Sequence, residues 1–223
     1  MNTIFKKISL FICVAILFIA CNSVDFGDTN NNPNGPTAAV TSQLLTEAQK
    51  TVSTIGTHLS GILFTQQLTE GQYPGESRYA TLTYNYNTYY TGSIQNLNEI
   101  IKLNEDEETQ SLTVAYGDNN NQIAVAKILR AYILQFMTDR WGALPWAEAF
   151  QGINNPQPKF DTQEEIYNTM FAEVDAALAL INSGAGPSGD VIFAGNMDRW
   201  KLFANSLKMT MALRISDVNP SLA

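Results

Sequence analysis

The stretch from Ile123 to Met137 constrains the fold most. Ile123, Ala124, Ala126, Ile128, Leu129, Ala131, Ile133 and Leu134 leave little continuous polar face if the segment is helical. A helix that is apolar over most of its circumference must be packed on several sides, so this one is expected at the centre of a helical assembly. Asp118 to Asn121, just upstream, can cap its amino terminus. Narrower apolar stripes flank it. Val40, Leu44, Leu45, Ala48, Val52 and Ile55 recur at threes and fours, with Thr37 after Pro36 placed as a cap. A second helical stretch runs over about 57–68 until Gly71, Pro74 and Gly75 end it.

Further along, Ile94, Leu97, Ile100, Ile101 and Leu103 continue a helix to the acidic run Glu105 to Glu108. Acid at a helix carboxyl end opposes the dipole, so that run reads as a solvated loop. After Asp139 the pattern breaks into a long loop with Pro156 and Pro158. Asp161 and Glu164 then have capping-box spacing before a helix through Ile166, Met170, Val174, Ala177, Leu178 and Ile181. Trp200, Phe203, Ala204, Leu207, Met211 and Ile215 mark the last helix. Apart from a short candidate at Val191 to Phe193, no alternating strand pattern is present. The expected class is all-α, with tetratricopeptide-like helical pairs and long loops. The repeat of about 34 residues is not visible in the sequence, and a plain bundle predicts the same stripes.

The first residues have a different character. Lys6 and Lys7 precede an apolar run from Ile8 to Ala20, too short for a comfortable membrane span and suited to an export signal over residues 1–20. The run ends in Leu17-Phe18-Ile19-Ala20-Cys21, which resembles a bacterial lipobox, although Phe18 stands where leucine is usual. In such signals the cysteine becomes the lipid-modified, palmitate-bearing amino terminus, so Cys21 is the expected lipidation site. An ordinary signal peptide cleaved near a cysteine is the alternative. Residues 21–36 carry Asp25, Gly27, Asp28, three consecutive asparagines, Pro33, Gly35 and Pro36, and read as a flexible tether. Residues 37–223 are the helical domain.

Composition then excludes several chemistries. With one histidine and two cysteines, a His/Cys zinc site or a disulfide scaffold has too few side chains, and no cofactor is expected. Thirteen basic residues against twenty-one acidic ones give a formal net charge of -8, which becomes -10 if Lys6 and Lys7 leave with the signal. An acidic chain without a basic cluster is a poor partner for nucleic acid.

Aromatic residues concentrate where a ligand could be held. Tyr73, Tyr79, Tyr84, Tyr86, Tyr89 and Tyr90 are interleaved with Gln72, Asn85 and Asn87. Flat apolar faces beside amides suit the C–H side of a pyranose ring and its hydroxyls. The same tyrosines could instead line helix contacts, and Tyr86 and Tyr90, four apart, are expected on one core-facing side. Trp141 and Trp146 frame Gly142 and Pro145 in a turn. They form either a sugar platform or a wedge fixing the loop, the latter with Arg140 bonded to a carboxylate such as Asp139 or Glu148. Trp200, at a helix start, is a core residue. His58, lacking a partner histidine, reads as a satisfied boundary imidazole. Asp118 to Asn121 lacks the glycine and terminal glutamate of a calcium loop. A helical glycosidase using Asp139 and Glu148 as acid and base is the rival reading, and a scaffold that binds only protein is a third.

Three separated blocks carry a resemblance. They are Asp139-Arg140-Trp141-Gly142-Ala143-Leu144-Pro145-Trp146-Ala147-Glu148-Ala149, then Pro158-Lys159-Phe160-Asp161-Thr162-Gln163-Glu164-Glu165-Ile166-Tyr167, then Trp200-Lys201-Leu202-Phe203-Ala204-Asn205-Ser206-Leu207-Lys208-Met209. In this order they resemble the SusD/RagB family of outer-membrane nutrient-binding lipoproteins, in the branch of starch-binding proteins that associate with the outer membrane. The resemblance implies tetratricopeptide-like helical pairs and no catalysis. It also implies a lipid anchor at the cell surface and a glycan or other oligomeric nutrient passed to a TonB-dependent, SusC-like transporter. Tyr73, Tyr79, Tyr84, Trp141 and Trp146 are the candidate ligand contacts. Family members are commonly about twice this long, so the chain is expected to represent an amino-terminal portion.

Overall fold

The computed structural model describes residues 39–81 and 83–222. The signal segment, Cys21, the tether and Thr37 lie outside them. The first described helix, α1 (Thr41–Gly56), is preceded by Val40 without a side-chain cap. After α2 (Leu59–Phe64) comes a loop, then a single turn α3 (Asn87–Tyr89) that runs through a π-helical segment (Tyr90–Ile94) into α4 (Gln95–Glu105). A short α5 (Gln110–Thr113) leads to the longest of the described helices, α6 (Asn119–Trp141). Two-residue strands β1 (Leu144–Pro145) and β2 (Phe160–Asp161) pair antiparallel and close the long loop before α7 (Gln163–Leu180). A further turn region leads to α8 (Met197–Ile215). The class is all-α, as the periodicity indicates.

α6 is the central element. Ile123, Val125, Ile128, Leu129, Ile133, Leu134 and Met137 are all buried, and the helix packs against α1, α4, α7 and α8. Burial on every side is what an all-round apolar helix requires. Its amino end is capped as expected, with the Asp118 carboxylate accepting from the Asn121 amide at 3.2 Å. Buried Gln122, near its start, is fully engaged. Gln122 accepts from Thr41 Oγ1 of α1 at 2.6 Å and donates to the carbonyls of Thr113 and Gly117. Midway along, the Arg130 guanidinium donates to Glu173 of α7 and, at 2.6 Å, to Asn98 of α4, tying three helices together.

Two local expectations are corrected. The capping box of α7 is formed by Thr162 and Glu165, one residue beyond the Asp161 and Glu164 pair. Asp161 is instead turned back to β1's loop, where its Oδ2 accepts from the amides of Trp146 and Ala147 at 2.9 and 2.7 Å. The second correction concerns Val191–Phe193, which is a turn. Buried Asp190 organises it by accepting from the amides of Ile192, Phe193 and Gly195, and from Gln49 Nε2 of α1 and Trp200 Nε1 of α8. Trp200 is fully buried in the core, edge-on to Phe193 and Phe203.

Candidate ligand-binding site

The carboxyl end of α6 builds one wall of a surface depression. Gly142, at φ +75°, stops the helix, and its amide closes the last turn on the Thr138 carbonyl at 2.8 Å. Arg140 and Trp141 are thereby held on the final turn. The Trp141 ring is braced by Tyr86, Tyr89 and Phe136 at centroid distances of 5.9, 6.0 and 6.3 Å. The Arg140 guanidinium lies 3.7 Å from the Tyr84 ring centroid and 5.1 Å from that of Trp141. Stacking on aromatic faces fixes the cation without hiding its N–H donors. This differs from the carboxylate partner expected for Arg140. Asp139 is paired with Arg214 at 3.3 Å and accepts from the Tyr167 hydroxyl, while Glu148 accepts from Asn155 and the Lys159 amide. The two carboxylates of the glycosidase reading thus have separate partners.

Behind Tyr84 is a polar support. Its hydroxyl is bonded to Ser60 Oγ, which also donates to Glu76 at 2.9 Å. His58, the residue before α2, meets the Tyr84 ring edge-on at 5.3 Å, and its Nε2 is 3.3 Å from Arg140 Nη1. Burial, reinforced by the Arg140 charge and opposed by Glu76, holds the His58 pKa below its ordinary value. The imidazole is therefore neutral near pH 7 and can accept from the guanidinium.

Tyr79 forms the outer lip. It is 60% exposed, lies 5.5 Å from the Phe64 ring, and has φ +62°, a conformation that is costly for a bulky side chain. The preceding turn enforces it. The Glu70 carboxylate accepts from the amides of Glu76 and Ser77, and the amides of Tyr79 and Ala80 return to the carbonyls of Glu76 and Gly75. The resulting depression has a volume of about 560 Å³ and is lined by Phe64, Tyr79, Ala80, Thr81, Thr83, Tyr84, Arg140 and Trp141.

Of the five aromatic residues singled out in the sequence, the structure brings Tyr79, Tyr84 and Trp141 together here. Tyr73 stands 79% exposed outside the lining. Trp146 lies elsewhere, with Arg130 5.6 Å from its ring and Phe150 edge-on at 6.1 Å. Tyr86 and Tyr90 do share a face, packed edge-on at 6.0 Å. Phe64 and Arg140 were not anticipated as lining. Phe64 carries no signal that separates it from a core residue, whereas Arg140 sits beside Trp141 inside the first resemblance block. Among the described residues there is no cluster of three or more His, Cys, Asp or Glu, and no helix long and apolar enough to cross a membrane.

The fold and site define a class: an all-α scaffold presenting aromatic faces and fixed hydrogen-bond donors in an open depression. Residues 33–223 match the SusD-like family described as starch-binding and associating with the outer membrane, and the chain belongs to that family. Among solved structures, one titled a chitin-binding protein is similar with a TM-score of 0.65 and 28% identity, over 82% of this chain and 40% of that one. A SusD-like protein from Bacteroidetes gives a TM-score of 0.62 and 29% identity, over 83% and 35%. A SusD homologue from Bacteroides fragilis shares the fold with a TM-score of 0.60 at 20% identity, over 82% and 36%. This chain therefore spans about 35 to 40% of the length of these structures. No curated protein matches the sequence.

Proposed function

We propose that the chain captures a glycan in the depression at the end of α6, without chemistry, and hands it to a TonB-dependent outer-membrane transporter of the SusC-like kind. The observation that carries this reading is the convergence of Tyr79, Tyr84 and Trp141 on one depression beside Thr81, Thr83 and Arg140. Aromatic rings offer faces to the apolar side of a pyranose, and the hydroxyls and guanidinium offer partners to its edge. The openness of the site suits a segment of a longer polymer. The family description and the chitin-binding title of one relative support an oligosaccharide as the ligand. Cys21 supplies the lipid anchor in this reading, with the domain facing the cell exterior.

Calorimetric titration with chitohexaose and maltohexaose tests the capture. At least one is expected to bind, and Tyr79→Ala is expected to weaken binding about three- to tenfold, the value of one aromatic contact, with an unchanged melting temperature. Absence of binding by either sugar would favour a protein-binding scaffold. Release of shortened sugars during incubation would favour the glycosidase reading.

A further inference from the structure

We infer that a second cleft, next to the first along a continuous band of aromatic rings, is an additional glycan subsite, so that the protein selects long uncharged oligosaccharides over short ones. This rests on the capture reading above. The cleft has a volume of about 700 Å³ and lies between the π-helical segment and the loop 145–160. Tyr86, Tyr90 and Phe150 supply its rings, Pro145, Pro158 and Phe160 further apolar surface, and Asn87, Gln95 and Gln157 its amides. None of its lining residues is charged, although the chain as a whole has a formal net charge of -8.

The construction repeats that of the first depression. Phe150, like Tyr79, is an exposed aromatic residue on a left-handed backbone, at φ +66° and 41% exposed. Two bulky residues held at this cost, one beside each hollow, are strain of the kind that positions a contact. Phe150 is held by Tyr90 at 5.6 Å and Trp146 at 6.1 Å, and Phe160 is 53% exposed. The π-helical segment carries Tyr90 into the cleft, where its hydroxyl donates to the Pro145 carbonyl at 2.5 Å and ties the loop to the helix.

Continuity between the two hollows comes from Tyr86. Its ring lines the second cleft and packs edge-on against Trp141 of the first at 5.9 Å and against Tyr90 at 6.0 Å. A polymer bound at Tyr79 and Trp141 thus meets the next aromatic surface one ring away. The uncharged lining separates this ligand from a charged peptide, which would find no counter-ion, and the amides suit hydroxyls or acetamido groups.

Titration of the full chain with a dimer and a hexamer of the same sugar tests the inference, using chitobiose and chitohexaose, or maltose and maltohexaose if that series binds. The hexamer is expected to bind about tenfold tighter or more, an advantage of one good additional aromatic contact. Phe150→Ala and Phe160→Ala, made separately so that one misfolded variant does not decide the outcome, are each expected to weaken the hexamer about three- to tenfold and leave the dimer unchanged. Tyr79→Ala is expected to weaken both. Equal affinity for dimer and hexamer overturns the inference. So does full hexamer affinity in both phenylalanine variants while Tyr79→Ala still weakens it, and in that case the capture reading stands. Loss in the phenylalanine variants with no effect of Tyr79→Ala keeps the second cleft and removes the first. No binding of either sugar overturns both.

Discussion

Asp190 joins the two ends of the domain, and replacing it with asparagine tests how. Its Oδ1 accepts from Gln49 Nε2 at 2.7 Å and the amides of Ile192 and Phe193 at 3.0 and 3.2 Å, and Oδ2 from the Gly195 amide at 2.9 Å and Trp200 Nε1 at 2.8 Å. Every one of these partners is a donor. An asparagine of the same shape must therefore place its own N–H₂ against at least two donors, whichever way the amide is turned. Two charge-assisted bonds lost, at about 1.5–3 kcal/mol each, with Trp200 or Gln49 left unpaired, give an expected cost of about 3–6 kcal/mol. For a domain of this size that is a fall in melting temperature of about 6–24 °C. The pH profile provides a second signature. Burial alone would raise the Asp190 pKa, but hydrogen bonds from Trp200, Gly195, Gln49 and Ile192 override it and hold the group below the ordinary carboxylate value. The unfolded chain then binds the proton more readily, so this stabilisation is present above about pH 4 and lost as pH falls through the folded value. Asp190→Asn is expected to lack that acid-dependent component. Urea denaturation of both proteins at neutral and acid pH measures it. A loss under about 1 kcal/mol, or an unchanged acid profile, would refute the reasoning.

Nearby, Gly186→Ala places a Cβ 1.8 Å from the Gly195 carbonyl oxygen, and backbone on both sides cannot yield cheaply. A destabilisation of about 2–3 kcal/mol by denaturant titration is expected, against near-neutrality for Gly71→Ala, where the added carbon meets open space. His58 gives a milder pH effect. Because burial and Arg140 lower its pKa, the unfolded chain protonates first. Its contribution is complete above about pH 6.5 and lost as pH falls through the folded value. Thermal melts from neutral pH to about pH 5 should slope downward in the native chain and less so in His58→Gln; identical slopes would contradict the His58–Arg140 geometry.

The helices were legible because their burial pattern is periodic. Composition alone puts α6 at the centre, since an apolar circumference admits no other position. What escaped the sequence depended on partners distant along the chain. Val191–Phe193 has the branched and aromatic content of a strand, but Asp190 draws the following amides into a turn using Gln49 and Trp200, from two different helices. Asp161 and Thr162 are both able to cap α7. The choice falls to Thr162 because Asp161 is engaged by the amides of Trp146 and Ala147. The sequence suggests a carboxylate partner for Arg140. The side chain is stacked on Tyr84 because the loop carrying Tyr84 returns over the end of α6, a path that spacing does not encode. For the same reason tyrosine density in the sequence does not separate Tyr79, on the lip of the depression, from Tyr73, outside it.

A crystal structure of the chain with the hexasaccharide that binds best tests the central claim most directly. The account expects a pyranose ring over Tyr79 or Trp141, with hydroxyls within hydrogen-bond distance of Arg140 or Thr83. Density for the sugar on a different face, with the Tyr79–Tyr84–Trp141 depression empty, would contradict it.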